Sequence, residues 1–223
     1  MPSARIRGRL LLVAGLGAIV ALAIGVAIGA RLGEAAYPAD DSAETGFLRD
    51  MAMHHRQAVE MALTVMGRTE DPVIRSLALD IATTQQAQVG MMTGWLDVWG
   101  LGQTGTERAM SWMGHDLAPG ERMPGMASDE DLGRLGTLPP AEADVLFLRL
   151  MRAHHTGGVD MASAIRERSD RSLVTDFAAK VVTSQSAEIE TIDDLLAERG
   201  LVPGAEVPDA TPGAAATPEH EHD

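Results

Sequence analysis

The chain has 223 residues with 32 acidic against 18 basic side chains, and its formal charge of -14 excludes a general electrostatic attraction to nucleic acid while suiting a cationic ligand. Aromatic content of only 3%, with Ala, Leu and Met supplying the apolar residues, favours helix over sheet and an all-α fold. The absence of Cys excludes disulfides, Fe–S clusters and thiolate chemistry, leaving His, Met and carboxylates as the strong metal ligands.

Arg5, Arg7 and Arg9 precede residues 10–30, LLLVAGLGAIVALAIGVAIGA, an uncharged run. A bilayer-spanning helix needs about 20 apolar residues, and a basic flank stays in the cytoplasm. The expectation is a single-pass membrane anchor within residues 1–35, with the following domain facing outward. A cleaved signal peptide, with a small-residue site at Gly33-Glu34-Ala35, is the competing reading and would leave the domain secreted or periplasmic.

Residues 47–62, FLRDMAMHHRQAVEMA, return at 147–162 as FLRLMRAHHTGGVDMA, and the likeness continues through Thr84-Gln85 and Ser184-Gln185 to Gly100-Leu101 and Gly200-Leu201. Two repeats, 47–101 and 147–201, each read as a helical hairpin, and together they predict a four-helix bundle within a domain spanning 40–202. Boundary signals agree with that reading. Residues 41–44, DSAE, can form a capping box, Gly67 can end the first helix, Asp71-Pro72 starts the second and Gly100 closes it. Pro139-Pro140 opens the third helix, Ser169-Asp170 breaks it, and Gly200 ends the fourth.

Seam positions Phe47, Met51, His54, Ala58, Met61 and Val65 step alternately by four and three, as do Phe147, Met151, His154, Gly158, Met161 and Ile165. The second and fourth helices carry apolar seams interrupted by Gln85 and Gln88, and by Gln185 and Glu188. With hairpin turns near residues 69 and 169, Gln85 and Gln185 fall beside the His level, and Gln88 and Glu188 about one turn further. Such groups buried without partners cost roughly 2 to 7 kcal/mol each, so they must bond to one another, to water or to a ligand.

The linker, 102–138, is rich in Gly and Pro, shows no sustained helical period, and holds Met110, Met113, His115, Met123 and Met126. These side chains are either further ligands or packing over one end of the helices. From 203 to 223 the composition predicts a disordered acidic tail, in which His220 and His222 read as solvated.

On a helical wheel Met51, His54, His55, Ala58 and Met61 share one arc of about 120°. His54 lies on the seam and His55 to its side, so the two imidazoles of a pair diverge toward different partners. Thioether and neutral imidazole suit Cu(I) or Ag(I), whereas imidazole with oxygen suits Cu(II) or Zn(II). The candidate metal residues are Met51, His54, His55, Met61, Gln85, Met151, His154, His155, Met161, Gln185 and Glu188. No Glu precedes either His pair by three residues, as a di-iron carboxylate site requires, and there is no HExxH. Structural Met in a core and satisfied His between helices form the alternative reading.

The doubled pattern F-L-x-x-M-x-x-H-H-x-x-x-V-[DE]-M-A, with MPGM at 123–126, resembles the DUF305 family over residues 43–202. The resemblance implies a ferritin-like four-helix bundle, exported or membrane-anchored, in a family with copper-binding members. It implies metal residues at Met51, His54, His55 and Met61 and their repeats, and a Gln-x-x-Glu pattern at Gln185 and Glu188. Gln88 stands where the first repeat would need the carboxylate, so the two halves read as an unequal pair or as one shared site. The expected function is outward-facing copper or silver binding for tolerance, storage or handover, with zinc as a further candidate metal and weaker binding at low pH. An envelope protein-interaction scaffold, and a metal-dependent oxidoreductase, are the alternatives.

Overall fold

A computed structural model describes residues 15–27, 29, 37–115, 117–118 and 120–204. The described residues form helices and loops, with no strand among them. Four long helices, α1 (Ala43–Met66), α2 (Pro72–Val98), α4 (Pro140–Arg168) and α5 (Ser172–Glu198), are joined by a linker that carries a 3₁₀ turn, Ser111–Met113, and a short helix, α3 (Asp129–Thr137). The all-α expectation holds.

Helix boundaries follow the local chemistry. Asp71 accepts from the amides of Val73 and Ile74, and Pro72 fills the first helical position, where a missing N–H loses nothing. α1 opens at Ser42, which accepts from the Thr45 amide at 3.2 Å, so the expected box from Asp41 to Glu44 is not used. Glu44 instead accepts from the Ser169 hydroxyl at 2.7 Å, tying the start of α1 to the end of α4. In the other half the Thr69 hydroxyl donates to Asp144 at 2.9 Å, the same tie shifted by one repeat. The linker departs from its expected irregularity at α3, where Ser128 accepts from the Asp131 amide and three acids in the first turn complement the positive end of the helix dipole.

Each repeat closes as a hairpin, α1 on α2 and α4 on α5, and the halves meet through α1 and α4. The buried side chains fall into two apolar clusters. One joins Met61 and Val65 to Phe147 and Met151; the other joins Phe47 and Met51 to Met161 and Ile165. α1 and α4 therefore run antiparallel, and the repeats are related by an approximate two-fold axis near their midpoints. The second cluster is the methionine-rich one, with Met51, Met92, Met110, Met123 and Met161, and the Phe47, Phe177, Trp95 and Trp112 rings meet edge-on at its border.

The linker is pinned to that half by Asp50, whose counterpart in the other repeat is Leu150. Its buried carboxylate accepts from the Met110 amide at 2.7 Å and the Trp112 indole N–H at 2.9 Å. Burial pushes the Asp50 carboxyl up, against the pull of those two hydrogen bonds and of Arg49. Met110, at φ 67, takes a left-handed conformation that costs energy for any residue but Gly, and the bond to Asp50 holds it there.

No helix among the described residues is long and apolar enough to cross a membrane. Of the expected span 10–30 only 15–27 and 29 are described, as exposed helix, and its two ends lie outside the described residues. The fold thus gives the anchor no support. The tail beyond 204, with His220 and His222, also lies outside them.

Replacing Asp50 with Ala leaves the buried Met110 amide and the half-buried Trp112 indole without their acceptor and should lower stability by about 3 kcal/mol, while Asp50→Asn should lower it by less. Chemical denaturation followed by tryptophan fluorescence checks this. An unchanged midpoint for Asp50→Ala would mean that the linker is not held through this carboxylate.

Candidate metal centre

Where α1 and α4 cross, His54 and His154 stack with ring centroids 3.7 Å apart and planes tilted by 31°. Both lie on the seam, as their spacing predicts, and the two-fold relation brings them face to face. His55 and His155, one position on, turn sideways into their own hairpins. The His55 Nε2–H donates to Gln88 Oε1 at 2.7 Å, and the His155 Nε2–H donates to the Glu188 carboxylate. All four rings are fully buried, and Gln85 and Gln185 lie buried with them. Gln88 and Glu188 thus sit beside the His level, bonded to His55 and His155, rather than one turn beyond it.

The hydrogen bonds fix the ring chemistry. The His54 Nε2–H donates to the Pro124 carbonyl at 3.1 Å, so in the neutral ring the lone pair is on Nδ1. The same follows for His55 and His155 from their oxygen acceptors. The Nδ1 atoms of all three are buried without a hydrogen-bond partner among the described residues, as are both ring nitrogens of His154 and both amide atoms of Gln85 and of Gln185. A metal-ligating His holds its other N–H on a carboxylate or carbonyl in this way.

Burial also keeps the His54, His55 and His154 rings uncharged. It pushes the His54 imidazole down to about 4, against the bond from Pro124, with His155 adding slightly. His55 falls to about 3, from burial first and the neighbouring His54 second. Burial holds His154 well below the ordinary range, and the other three imidazoles lower it further against a weak opposing effect of the His54 backbone. Two imidazolium rings could not stack at 3.7 Å in such surroundings. His54, His55 and His154 therefore offer neutral imidazole nitrogens, which fit a soft or borderline cation.

The halves differ in the space they leave. A Cβ at Gly158 would overlap the Gln185 amide, so Gln185 fills the room that Gly158 provides, whereas Ala58 offers no such room in the first repeat. A Cβ at Gly157 would overlap the Pro124 carbonyl. The adjacent glycines, which loosen α4 by roughly 0.5 to 1 kcal/mol each, are thus both filled by neighbours.

Of the expected ligand set, the structure brings the four His together, while Gln185 lies against Gly158, one turn along α4 from His154, and Gln85 is buried at the matching position of α2. Glu188 reaches the level through His155 alone. The methionines flank it, Met51 and Met161 in one apolar cluster and Met61 and Met151 in the other, all fully buried. Among the described residues no group of three or more His, Asp or Glu side chains is placed to hold one ion. Sequence reasoning missed Pro124, whose carbonyl orients His54, and Gln57, whose amide pairs with the backbone of Ala127. The Pro-Gly pair at 124–125 is a turn signal that points to the first; nothing in the sequence marks the second.

Imidazoles that are neutral when folded but titrate near 6.5 when unfolded stabilise the fold fully above about 6.5, and that stability is lost as pH falls toward their folded values. The metal-free protein should lose on the order of 2 kcal/mol for each of His54 and His55 between pH 7.5 and 5. Denaturation midpoints across that range check it, and a His54→Gln, His154→Gln variant should show a shallower slope. Equal slopes would mean that these rings are not held neutral.

Comparison with known proteins follows the same geometry. A crystal structure of a DUF305 protein from Streptomyces coelicolor, described there as a proposed secreted protein, is 48% identical, covers 75% of this chain and 100% of its own, and has a TM-score of 0.71. A DUF305 fragment from Deinococcus radiodurans is 34% identical over 70% of this chain and 96% of its own, with a TM-score of 0.61. CopM in its Cu(II)-bound form is 25% identical, covers 71% and 97%, and has a TM-score of 0.55; other structures of CopM are of its Cu(I)-bound and silver-bound forms. Uncharacterized protein L153 of Acanthamoeba polyphaga mimivirus is 39% identical over 51 residues, and the match spans 34% of that relative's length. The profile of the family described as "Domain of unknown function (DUF305)" matches residues 44–196, and the chain belongs to that family.

Proposed function

We propose that this protein binds copper, or silver, at the level of His54 and His154, on the extracytoplasmic side of the cell. The proposal takes residues 40–202 as the folded unit and its two hairpins as a four-helix bundle. One observation carries the reading: three buried, oriented imidazoles with their Nε2–H on an oxygen acceptor and their Nδ1 lone pair unpartnered. CopM, of the same fold at 25% identity, was crystallised with Cu(II), and the Streptomyces coelicolor relative is described as secreted; both support the assignment.

The residues divide the work. His54 and His154 would present nitrogen to the ion, with Met51, Met61, Met151 and Met161 as the thioether candidates on either flank and Gln85 and Gln185 as amide oxygen candidates. His55 and His155 stand at the sides, oriented by Gln88 and Glu188. Glu188 makes its ring a stronger donor than Gln88 makes His55, so the halves bind unequally. The bound ion would draw charge from neutral donors, and the surrounding apolar clusters would exclude water from it. No catalytic step is needed; tolerance, storage or handover are the roles such binding serves.

A Cu(I) competition titration tests the reading. The variant with all four His replaced by Ala should bind at least about a hundredfold more weakly than wild type, and Glu188→Gln about tenfold more weakly. Equal affinity of the four-His variant and wild type would defeat it. Because His54 protonates only near 4, affinity should stay level from pH 7.5 to about 5 and fall below that, rather than fall from 6.5.

A further inference from the structure

The buried level has one wall that is not a helix. Residues 123–127 leave the methionine-rich cluster at Met123 and reach the other cluster at Ala127, so this piece of linker crosses over the His54/His154 pair between them. Its turn is closed by the Met126 amide on the Met123 carbonyl at 3.1 Å, with Gly125 at φ 77. Pro and a positive φ at the next residue make a type II turn. The Gly125 backbone lies so close to α4 that a Cβ there would overlap the Ala153 carbonyl oxygen and stand 2.9 Å from the His154 Cα.

The same strap is tied to α1 by a two-pronged bond. The Ala127 amide donates to Gln57 Oε1 at 2.8 Å, and Gln57 Nε2 donates back to the Ala127 carbonyl at 3.0 Å. The corresponding residue in the other repeat is Gly157, the flat spot on which Pro124 rests. Position 57 is therefore a latch in one repeat and a seat in the other. The four imidazoles have no exposed surface, so an ion can reach them only if part of their enclosure opens. Parting α1 from α4 or from α2 would expose whole buried seams, whereas freeing the strap breaks the Gln57 pair and the Pro124–His54 bond and lifts only the buried Met123 and Ala127 out of the apolar clusters. Local opening runs through the least stable cooperative unit.

We infer that residues 123–127 are the movable wall through which a metal ion reaches and leaves the His54/His154 pair, with Gln57 as its latch. This inference rests on the metal-binding reading above. Gln57 is only half-buried, so its substitution spares the core. Gln57→Ala removes both prongs; Gln57→Glu keeps the acceptor for the Ala127 amide and loses the donor to its carbonyl.

The test has two arms on the full chain. Amide hydrogen exchange of the metal-free protein should show Met126 and Ala127 exchanging about tenfold faster in Gln57→Ala than in wild type, with Gln57→Glu between them. Stopped-flow release of Cu(I) into excess chelator should speed up by a similar factor. Since uptake passes the same wall, the equilibrium affinity should change by less than about threefold. Faster exchange with unchanged release overturns the route, and unchanged exchange overturns the latch. A wild type that retains no Cu(I) defeats the metal-binding reading itself and the route with it, a result distinct from bound Cu(I) released at one rate by all three proteins.

Discussion

Four imidazoles buried between two apolar clusters, with two buried amides, Gln85 and Gln185, on the neighbouring helices, set the terms for the rest of this protein. Burying an unpaired polar group costs several kcal/mol, and burying a charged one costs more, so His54, His55 and His154 are held neutral and three of the four rings are tied to an oxygen the fold brings. Pro124, Gln88 and Glu188 supply those oxygens. What they leave over, a set of lone pairs without donors, is the chemical content of the site.

The duplication explains how the level is assembled. Two hairpins of matching sequence, placed antiparallel through α1 and α4, bring equivalent seam His onto the axis, where they stack. Equivalent ties close the two ends, Ser169 to Glu44 and Thr69 to Asp144. The departures from symmetry fall where the halves differ in task. Asp71 pairs with Arg199 at one end, while at the other the charge is reversed and Arg171 lies 5.9 Å from the centroid of Trp99. Asp50 against Leu150, and Gln57 against Gly157, let one linker lie on a nearly symmetric body in a single orientation.

Much of this was legible in the residues. The seam from Phe47 to Val65 and its repeat are buried as the four-and-three spacing requires, and the Gln residues interrupting the partner helices mark the polar level. Asp71-Pro72 and Pro139-Pro140 start helices because capping and the fixed φ of proline act over a few residues. The linker was far less legible. Met110, Met123 and α3 are ordered by contacts with residues some 60 to 70 positions away, through Asp50 and Gln57, and periodicity carries no information about such contacts. The Met side chains read as ligands from their place in the repeated motif and on the shared helical arc, and they lie in the two apolar clusters on either side of the His level.

A crystal of this protein loaded with silver or copper, located by anomalous scattering, tests the central claim most directly. The account predicts a metal peak at the level of His54 and His154, beneath the Pro124–Gly125 turn and within bonding distance of an imidazole nitrogen. Peaks only among surface carboxylates, with the four rings in their metal-free positions, would contradict it.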